Sequence, residues 1–373
     1  MNQHHLKYKD KINLGAFYTP IIYVDMVWKM IKPFLSHKTV VLDNSCGYGN
    51  FFNHQENCKK KANDIDLIAV NQAKINLPNV EIFNKNALLN VDRKMFNIDK
   101  EDELIIIGNP PYNDITSIIR VDIKKDILEI DDDIKTRDYG MSFLLSYNKL
   151  DAKIIAVLHP LSYLIKRSNF NLLKKFTDNY KLIDCLIIDS ATFKETSKGI
   201  SFPIIIALYK KEDFGMNYDY IKNFKFKTID NQFFSLNDFD FIPNYIEKYP
   251  LKNAFLKEGD ILFWTMRDIN ALKRNRTFVN EFGYNTIIIN KNKLDYYIYV
   301  DVFKRFSYLI PYYFGNLDVF IDNIIFQKYK KYFIYECVAR NNFLKNYISC
   351  DLDISMKEAE ENIIQYFKFL IKK

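Results

Sequence analysis

Leu104-Ile105-Ile106-Ile107-Gly108-Asn109-Pro110-Pro111-Tyr112 is the stretch from which the fold can be read. Four apolar residues in succession leave no polar face, so the segment predicts a strand covered on both sides, as in a parallel sheet with helices against each face. Similar runs flank it: Thr39 to Asp43 and Val80 to Phe83 before, then Lys153 to Leu158, Leu182 to Asp189 and Phe202 to Tyr209 after. Between strands, Pro20 to Phe34 and Tyr139 to Leu150 have helical spacing, with Pro20 where a first-turn proline is tolerated. This alternation predicts a doubly wound α/β domain. It stops near Lys210-Lys211-Glu212-Asp213-Phe214-Gly215, which divides the chain into domains 1–210 and 211–373. In the second, Thr286 to Ile289 and Tyr296 to Val300 read as short strands and Ser355 to Lys373 as a terminal amphipathic helix.

The end of the Leu104 strand carries the most specific chemistry. Two prolines fix φ and remove two N–H donors, so the Asn-Pro-Pro-Tyr loop is rigid and its acceptors face outward. The Asn109 side-chain oxygen and the Pro110 carbonyl can both accept from one NH₂ group, and Tyr112 offers a ring face to a planar substrate. A planar amino group is the expected ligand. Asp43-Asn44-Ser45-Cys46-Gly47-Tyr48-Gly49-Asn50-Phe51 is a strand end running into a Gly-x-Gly turn, where backbone can approach a ligand closely. Asn63-Asp64-Ile65-Asp66 follows, with an acidic side chain placed to hold ribose hydroxyls. A third glycine is missing, which argues against NAD or FAD. The stretch from Asn113 to Arg137 is longer than ordinary connections and reads as a functional loop.

Composition sets the outer limits. The 373 residues are 48% hydrophobic and 27% charged, which is globular, and no run approaches the roughly 20 apolar residues of a membrane span. The N-terminus, Met1 to Gly15, has neither an apolar signal core nor a cleavage site, so a cytoplasmic location is expected. Five cysteines without a Cys-x-x-Cys pair suit a reducing compartment, and no metal site is expected. A net charge of +7 permits a polyanionic partner. Aromatic residues are abundant, 26 Tyr and 31 Phe, and belong mostly to the core.

Taken in order, these segments resemble the N6-adenine DNA methyltransferases of the gamma type, the modification enzymes of restriction-modification systems. Gly15-Ala16-Phe17-Tyr18-Thr19-Pro20 is similar to that family's N-terminal cofactor motif, Asp43 to Phe51 to its glycine loop, Asp64 to its ribose-binding acid, Asn109 to Tyr112 to its catalytic motif, and Asp138 to Phe143 to the following helix. Asn44 and Ser45 stand in place of Pro-Ala, and Asn86 in place of the Asp that meets the cofactor's adenine. The resemblance implies a Rossmann-like S-adenosylmethionine-dependent methyltransferase sheet followed by a C-terminal target-recognition domain. It implies cofactor contacts from Phe17, Tyr18, Thr19 and Pro20, from Asp43, Ser45, Cys46, Gly47 and Gly49, and from Asp64, Ile65, Asn86, Ala87 and Asn109. Asn109, Pro110, Pro111 and Tyr112 form its catalytic motif.

Double-stranded DNA is the implied partner, with the adenine flipped out of the stack and held between two rings. Tyr112 is one; Phe193 is the expected second, with Phe202 as competitor. Arg267, Lys273, Arg274 and Arg276 are the expected DNA contacts, and Tyr312 to Asn316 a further candidate loop more in keeping with core. A separately acting restriction endonuclease is the implied biological partner, and a monomer is expected. Rival readings are a protein glutamine N5-methyltransferase, which also needs acceptors for an amide NH₂, an RNA adenine methyltransferase, and a catalytically silent DNA-binding specificity protein.

Overall fold

A computed structural model describes residues 19–54, 56, 58–112, 128–193, 201–253, 255–267, 276–348 and 353–372. Its centre is a seven-stranded sheet in the order β3-β2-β1-β4-β5-β7-β6. The strands are β1 (Thr39–Asp43), β2 (Lys59–Asn63), β3 (Glu81–Phe83), β4 (Glu103–Gly108), β5 (Ile154–Pro160), β6 (Tyr180–Asp189) and β7 (Pro203–Lys211). β1 pairs in parallel with β2 and β4, in register Val41 with Lys60 and Ile105, and β4 pairs in parallel with β5. The fully parallel sheet expected from sequence is corrected at β7, which is antiparallel to both β5 and β6. Burial on both faces makes an apolar run look alike in either direction.

Helix α1 (Ile21–Ile31) buries Tyr23, Val24, Val27, Trp28 and Ile31, which fall on one face of a helix, and the Trp28 indole N–H donates to the Phe51 carbonyl at 2.5 Å. Helix α2 (Leu67–Asn76) is capped by Asp66, which accepts from the Ile68 N–H at 2.9 Å. Helix α3 (Tyr139–Lys149) is capped by Asp138 and buried from Gly140 to Tyr147. α1 joins β1, β4, β5 and β7 in one apolar core. Residues 113–127 of the long loop lie outside the described residues; beyond them Asp131 accepts from the N–H groups of Asn90 and Val91 at 2.7 and 3.0 Å.

Two compact units emerge, Met1–Phe233 and Phe234–Lys373. The sequence boundary at 210/211 moves because the next segment returns to the first unit. Met216 N–H donates to Thr177 O at 2.7 Å, Tyr218 OH to Ile165 O at 2.8 Å, and Tyr220 OH to Leu182 O at 2.8 Å.

In the second unit, helices α4 (Leu294–Arg305), α5 (Asn323–Arg340) and α6 (Met356–Ile371) accompany a small antiparallel sheet of Leu262–Trp264, Phe278–Val279 and Thr286–Ile288. Tyr296 to Val300, expected as a strand, is inside α4. Tyr297, Ile298, Tyr299 and Val300 are all buried there, and a short apolar run cannot by itself tell a strand from a helix buried all round. Arg305 ties α4 to α5, pairing with buried Asp301 and with Glu336. The Tyr312 to Asn316 stretch is core: Phe314 packs edge-on to Phe320 and Phe239.

Candidate active site

Strand order places the site. The chain steps outward from β1 to β2 and β3, then resumes at β4 on the other side of β1 and moves the opposite way, so β1 and β4 flank the switch point. Ligands of open α/β sheets bind in the crevice outside the carboxyl ends at such a point. Asp43, Asn63 and Gly108 are the last residues of β1, β2 and β4.

Gly47 and Gly49 have φ of +53° and +85°, values that favour glycine, so the loop after β1 turns sharply back. Its shape is fixed by side chains after β2. The Gly47 N–H donates to Asp64 Oδ2 at 2.8 Å, and the Asp66 N–H to Asp64 Oδ1 at 2.9 Å. Asn63, fully buried, donates to the carbonyls of Asn44 and Lys85 at 3.2 and 3.0 Å and accepts from the Lys85 N–H at 2.9 Å. Sequence reading assigned Asn63 nothing, yet it knits the loops after β1, β2 and β3. Its only signal was a buriable amide at a strand end.

Several polar atoms here are buried and lack a hydrogen-bond partner among the described residues: Asp43 Oδ2, both side-chain polar atoms of Asn44, Ser45 Oγ, Asn109 Oδ1, and the hydroxyls of Tyr112 and Tyr147. Native proteins pair nearly all such atoms, so this concentration marks where a ligand's polar groups belong. Asp43 Oδ1 accepts from the Ser45 N–H at 3.2 Å, and the carboxyl crowds Gly108, whose φ of +143° and missing Cβ allow the approach. Burial pushes the Asp43 carboxyl up to about 8, the Ser45 N–H opposing and the Asp64 charge adding. Burial also raises the Asp64 carboxyl, against the N–H groups of Asp66 and Gly47, and lifts the Cys46 thiol. Tyr147, on α3, was not anticipated; its hydroxyl is raised by burial and by Asp43.

After β4, the Asn109 amide nitrogen donates to the Thr19 hydroxyl at 3.2 Å, which orients the side-chain oxygen the other way. Thr19 is itself buried, and Pro20 precedes α1 as its N-cap. Phe17 and Tyr18 lie outside the described residues. Ile65 stays 52% exposed beside Asp64, an apolar surface suited to a planar ring. Ala87 is buried after β3, and Asn86 accepts from the Leu88 N–H at 3.0 Å and donates to the Glu129 carbonyl at 2.7 Å. One acceptor site of its oxygen is therefore used within the protein. These donors and acceptors suit a nucleoside cofactor with an amino acid tail: carboxyl Asp64 for ribose, Ile65 and Ala87 around the base, and the unpaired set after β1 for charged ends. Among the described residues no three His, Cys, Asp or Glu side chains could hold a metal, and no helix is long and apolar enough to cross a membrane.

Phe193 lies on the segment before β7, as expected, but its ring is turned away from the crevice into the core. At 1% exposed it packs in the core, its ring 5.9 Å from Tyr23, because the Ser190–Thr192 turn folds it inward. Phe202 remains half-buried. In the second unit, the Arg267 guanidinium lies 5.8 Å from the Tyr249 ring and 5.6 Å from the 84% exposed Tyr284 ring, and Arg276 lies 3.6 Å over Trp264. Those three rings were unassigned in the sequence, since only the fold gathers them. Lys273 and Arg274 lie outside the described residues.

No protein-family model matches the chain, and no curated protein matches it in sequence. Solved structures similar to it include a candidate class I S-adenosylmethionine-dependent methyltransferase from Listeria monocytogenes, at 13% identity and TM-score 0.42 over 61% of this chain and 68% of that one. A candidate RNA methyltransferase from Pyrococcus horikoshii aligns at 18% identity and TM-score 0.36, covering 54% of this chain and 89% of its own. A dimethyladenosine transferase from Plasmodium falciparum aligns at 17% and 0.34, covering 57% and 72%. Likeness at this level carries no functional conclusion, and the chain's own residues must carry the reading.

Proposed function

We propose that this protein is an S-adenosylmethionine-dependent methyltransferase that modifies N6 of a flipped-out adenine in double-stranded DNA, as the modification enzyme of a restriction-modification system. The observation that carries this reading is Asn109 Oδ1: a buried acceptor with no partner among the described residues, at the β4 end of the switch-point crevice, followed by two prolines and a tyrosine. Such an acceptor calls for a donor from outside, and the adenine amino group is a planar donor. Its nitrogen is a poor nucleophile because its lone pair is delocalised into the ring. Accepting from both hydrogens, Asn109 Oδ1 and the Pro110 carbonyl draw the group toward tetrahedral geometry and localise that lone pair. S-adenosylmethionine, when bound, supplies the electrophilic methyl group. Asp64 has lone pairs left for ribose hydroxyls beyond the two N–H groups it already accepts. The protein therefore contributes position and electrostatics more than acid–base chemistry.

Extruding a base costs a few kcal/mol, and stacking returns about 1–3 kcal/mol per base. Tyr112 supplies one ring, and the partly buried Phe202 is a better second ring than the fully buried Phe193. Arg267 and Arg276, each laid on aromatic rings, are the groups in the second unit suited to phosphates or guanine edges, with Lys273 and Arg274 between them in sequence. Such an enzyme acts on cytoplasmic DNA, as a monomer, beside a separate endonuclease. The test is sequencing of modified bases in DNA from cells expressing the chain or its Asn109→Ala variant. N6-methyladenine at a defined site, absent from the variant although it still binds S-adenosylhomocysteine, is the expected result. Absence of that base, with Asn109-dependent methyl transfer from radiolabelled S-adenosylmethionine into RNA or a protein amide instead, overturns the substrate.

A further inference from the structure

Tyr112 is seated against the first turn of α3. A Cβ built on Gly140 would stand 2.9 Å from Tyr112 Cβ and 2.5 Å from the Tyr163 hydroxyl, closer than side-chain carbons come in folded proteins. Gly140 does not share the positive φ of Gly47, Gly49 or Gly108. Its missing side chain is needed for space, since alanine would suit a helical backbone better.

Tyr163, the other occupant of that space, is anchored on two sides. Its hydroxyl donates to Asp138, the N-cap of α3, whose Oδ1 also accepts the N–H groups of Gly140 and Met141 at 2.9 and 3.3 Å. Its ring stacks on His159 with centroids 5.2 Å apart and planes within 9°. His159, at the end of β5, donates from Nδ1 to the Pro160 carbonyl at 2.9 Å and accepts at Nε2 from the Tyr209 hydroxyl at 2.7 Å. The contacts thus run from β7 and β5 in the sheet, through two stacked rings and a helix cap, to the residue that ends the Asn-Pro-Pro-Tyr loop.

We infer that Gly140, Tyr163 and Asp138 are positioning residues for Tyr112, forming a rigid wall that presets the plane of its ring for a base to stack on. This rests on the reading of Tyr112 as a stacking ring. A ring already fixed loses little freedom when the base arrives, and its face is presented at one angle.

Gly140→Ala and Tyr163→Phe in the full chain test it, each by crystal structure, by calorimetry with S-adenosylhomocysteine, and by transfer kinetics on unmethylated DNA. For Gly140→Ala the Tyr112 ring should be displaced and kcat should fall on the order of 100-fold, with affinity for S-adenosylhomocysteine unchanged. Tyr163→Phe adds no bulk, so it should fold normally and lower kcat less. Combined with Gly140→Ala, it removes the closer collision and should recover part of the lost rate, which a merely weakened helix would not allow. An undisplaced Tyr112 with wild-type kcat in Gly140→Ala overturns the inference. Should the wild type methylate something other than DNA adenine, the substrate reading falls, while the position of Tyr112 in the crystals still decides the wall.

Discussion

Asp43 shows what the site costs the protein that carries it. A carboxyl ionising at 3.8 in the unfolded chain is held neutral up to about 8 in the folded one. Between those values the unfolded state binds fewer protons, so stability falls as pH rises through that window. Asp43→Asn removes the liability: its melting temperature should exceed that of the wild type by more at pH 8 than at pH 5, while its affinity for S-adenosylhomocysteine drops. Equal differences at both pH values would show that the carboxyl is not held neutral. The two phenylalanines separate just as cleanly. Phe193→Ala should cost about 3–5 kcal/mol of stability by opening a core cavity, whereas Phe202→Ala, at a ring only partly buried against that core, should lower the denaturant midpoint less and slow methyl transfer. The reverse pattern would restore Phe193 as the stacking ring. Asp43 and Asn109 were legible in the sequence because the apolar runs Val40 to Leu42 and Leu104 to Ile107 locate the strand ends beside them, and Asp64 because an acid about 20 residues beyond the first strand suits ribose hydroxyls and matches the resemblance. Asn63, Tyr147 and the rings beside Arg267 were not, because their roles depend on partners distant in the chain.

At the scale of elements, apolar runs revealed every strand of the large sheet except β2. Its Lys59-Lys60-Lys61 start reads as solvated surface, yet Lys61 is 7% exposed, with its ammonium on Glu81 Oε2 at 2.5 Å. A long stem can lie along apolar surface while its charge finds a partner outside, which no residue-type pattern discloses. The small sheet of the second unit is where recognition can be examined. The Trp264 N–H donates to the Thr277 carbonyl at 2.7 Å, and Lys304 donates to the Arg276 carbonyl at 3.1 Å, so the backbone beneath the Arg276 side chain is held from two sides. If Arg267 or Arg276 meets a phosphate, its alanine variant should bind all duplexes more weakly and lower the salt slope by about one; if it reads a base, specificity should relax at one position at a cost of about 1–3 kcal/mol. Binding of labelled duplexes across a salt series distinguishes these outcomes. Unchanged affinity and slope in both variants would leave the two arginines as surface packing.

For the molecule as a whole, the boundary is a practical matter. Residues 211–233 close hydrogen bonds on Thr177, Ile165 and Leu182 of the first unit. A fragment ending at 233 should therefore melt cooperatively and bind S-adenosylhomocysteine, whereas one ending at 210 should aggregate or melt lower; scanning calorimetry of the two fragments compares them, and equal stability would return the boundary to 210. The antiparallel strand β7 matters in another respect. It lies between β5 and β6, although both precede it in the chain. During synthesis the ribosome releases six strands that cannot yet form a complete sheet, and β6 has no neighbour to pair with until Lys211 has left the exit tunnel. Until then the apolar faces of β5 and β6 stand open to chaperones or to other nascent chains. The last strand of the sheet to be made is the one that joins its edge to its centre, so the sheet of the first unit should close only after residues 203–211 have been synthesised.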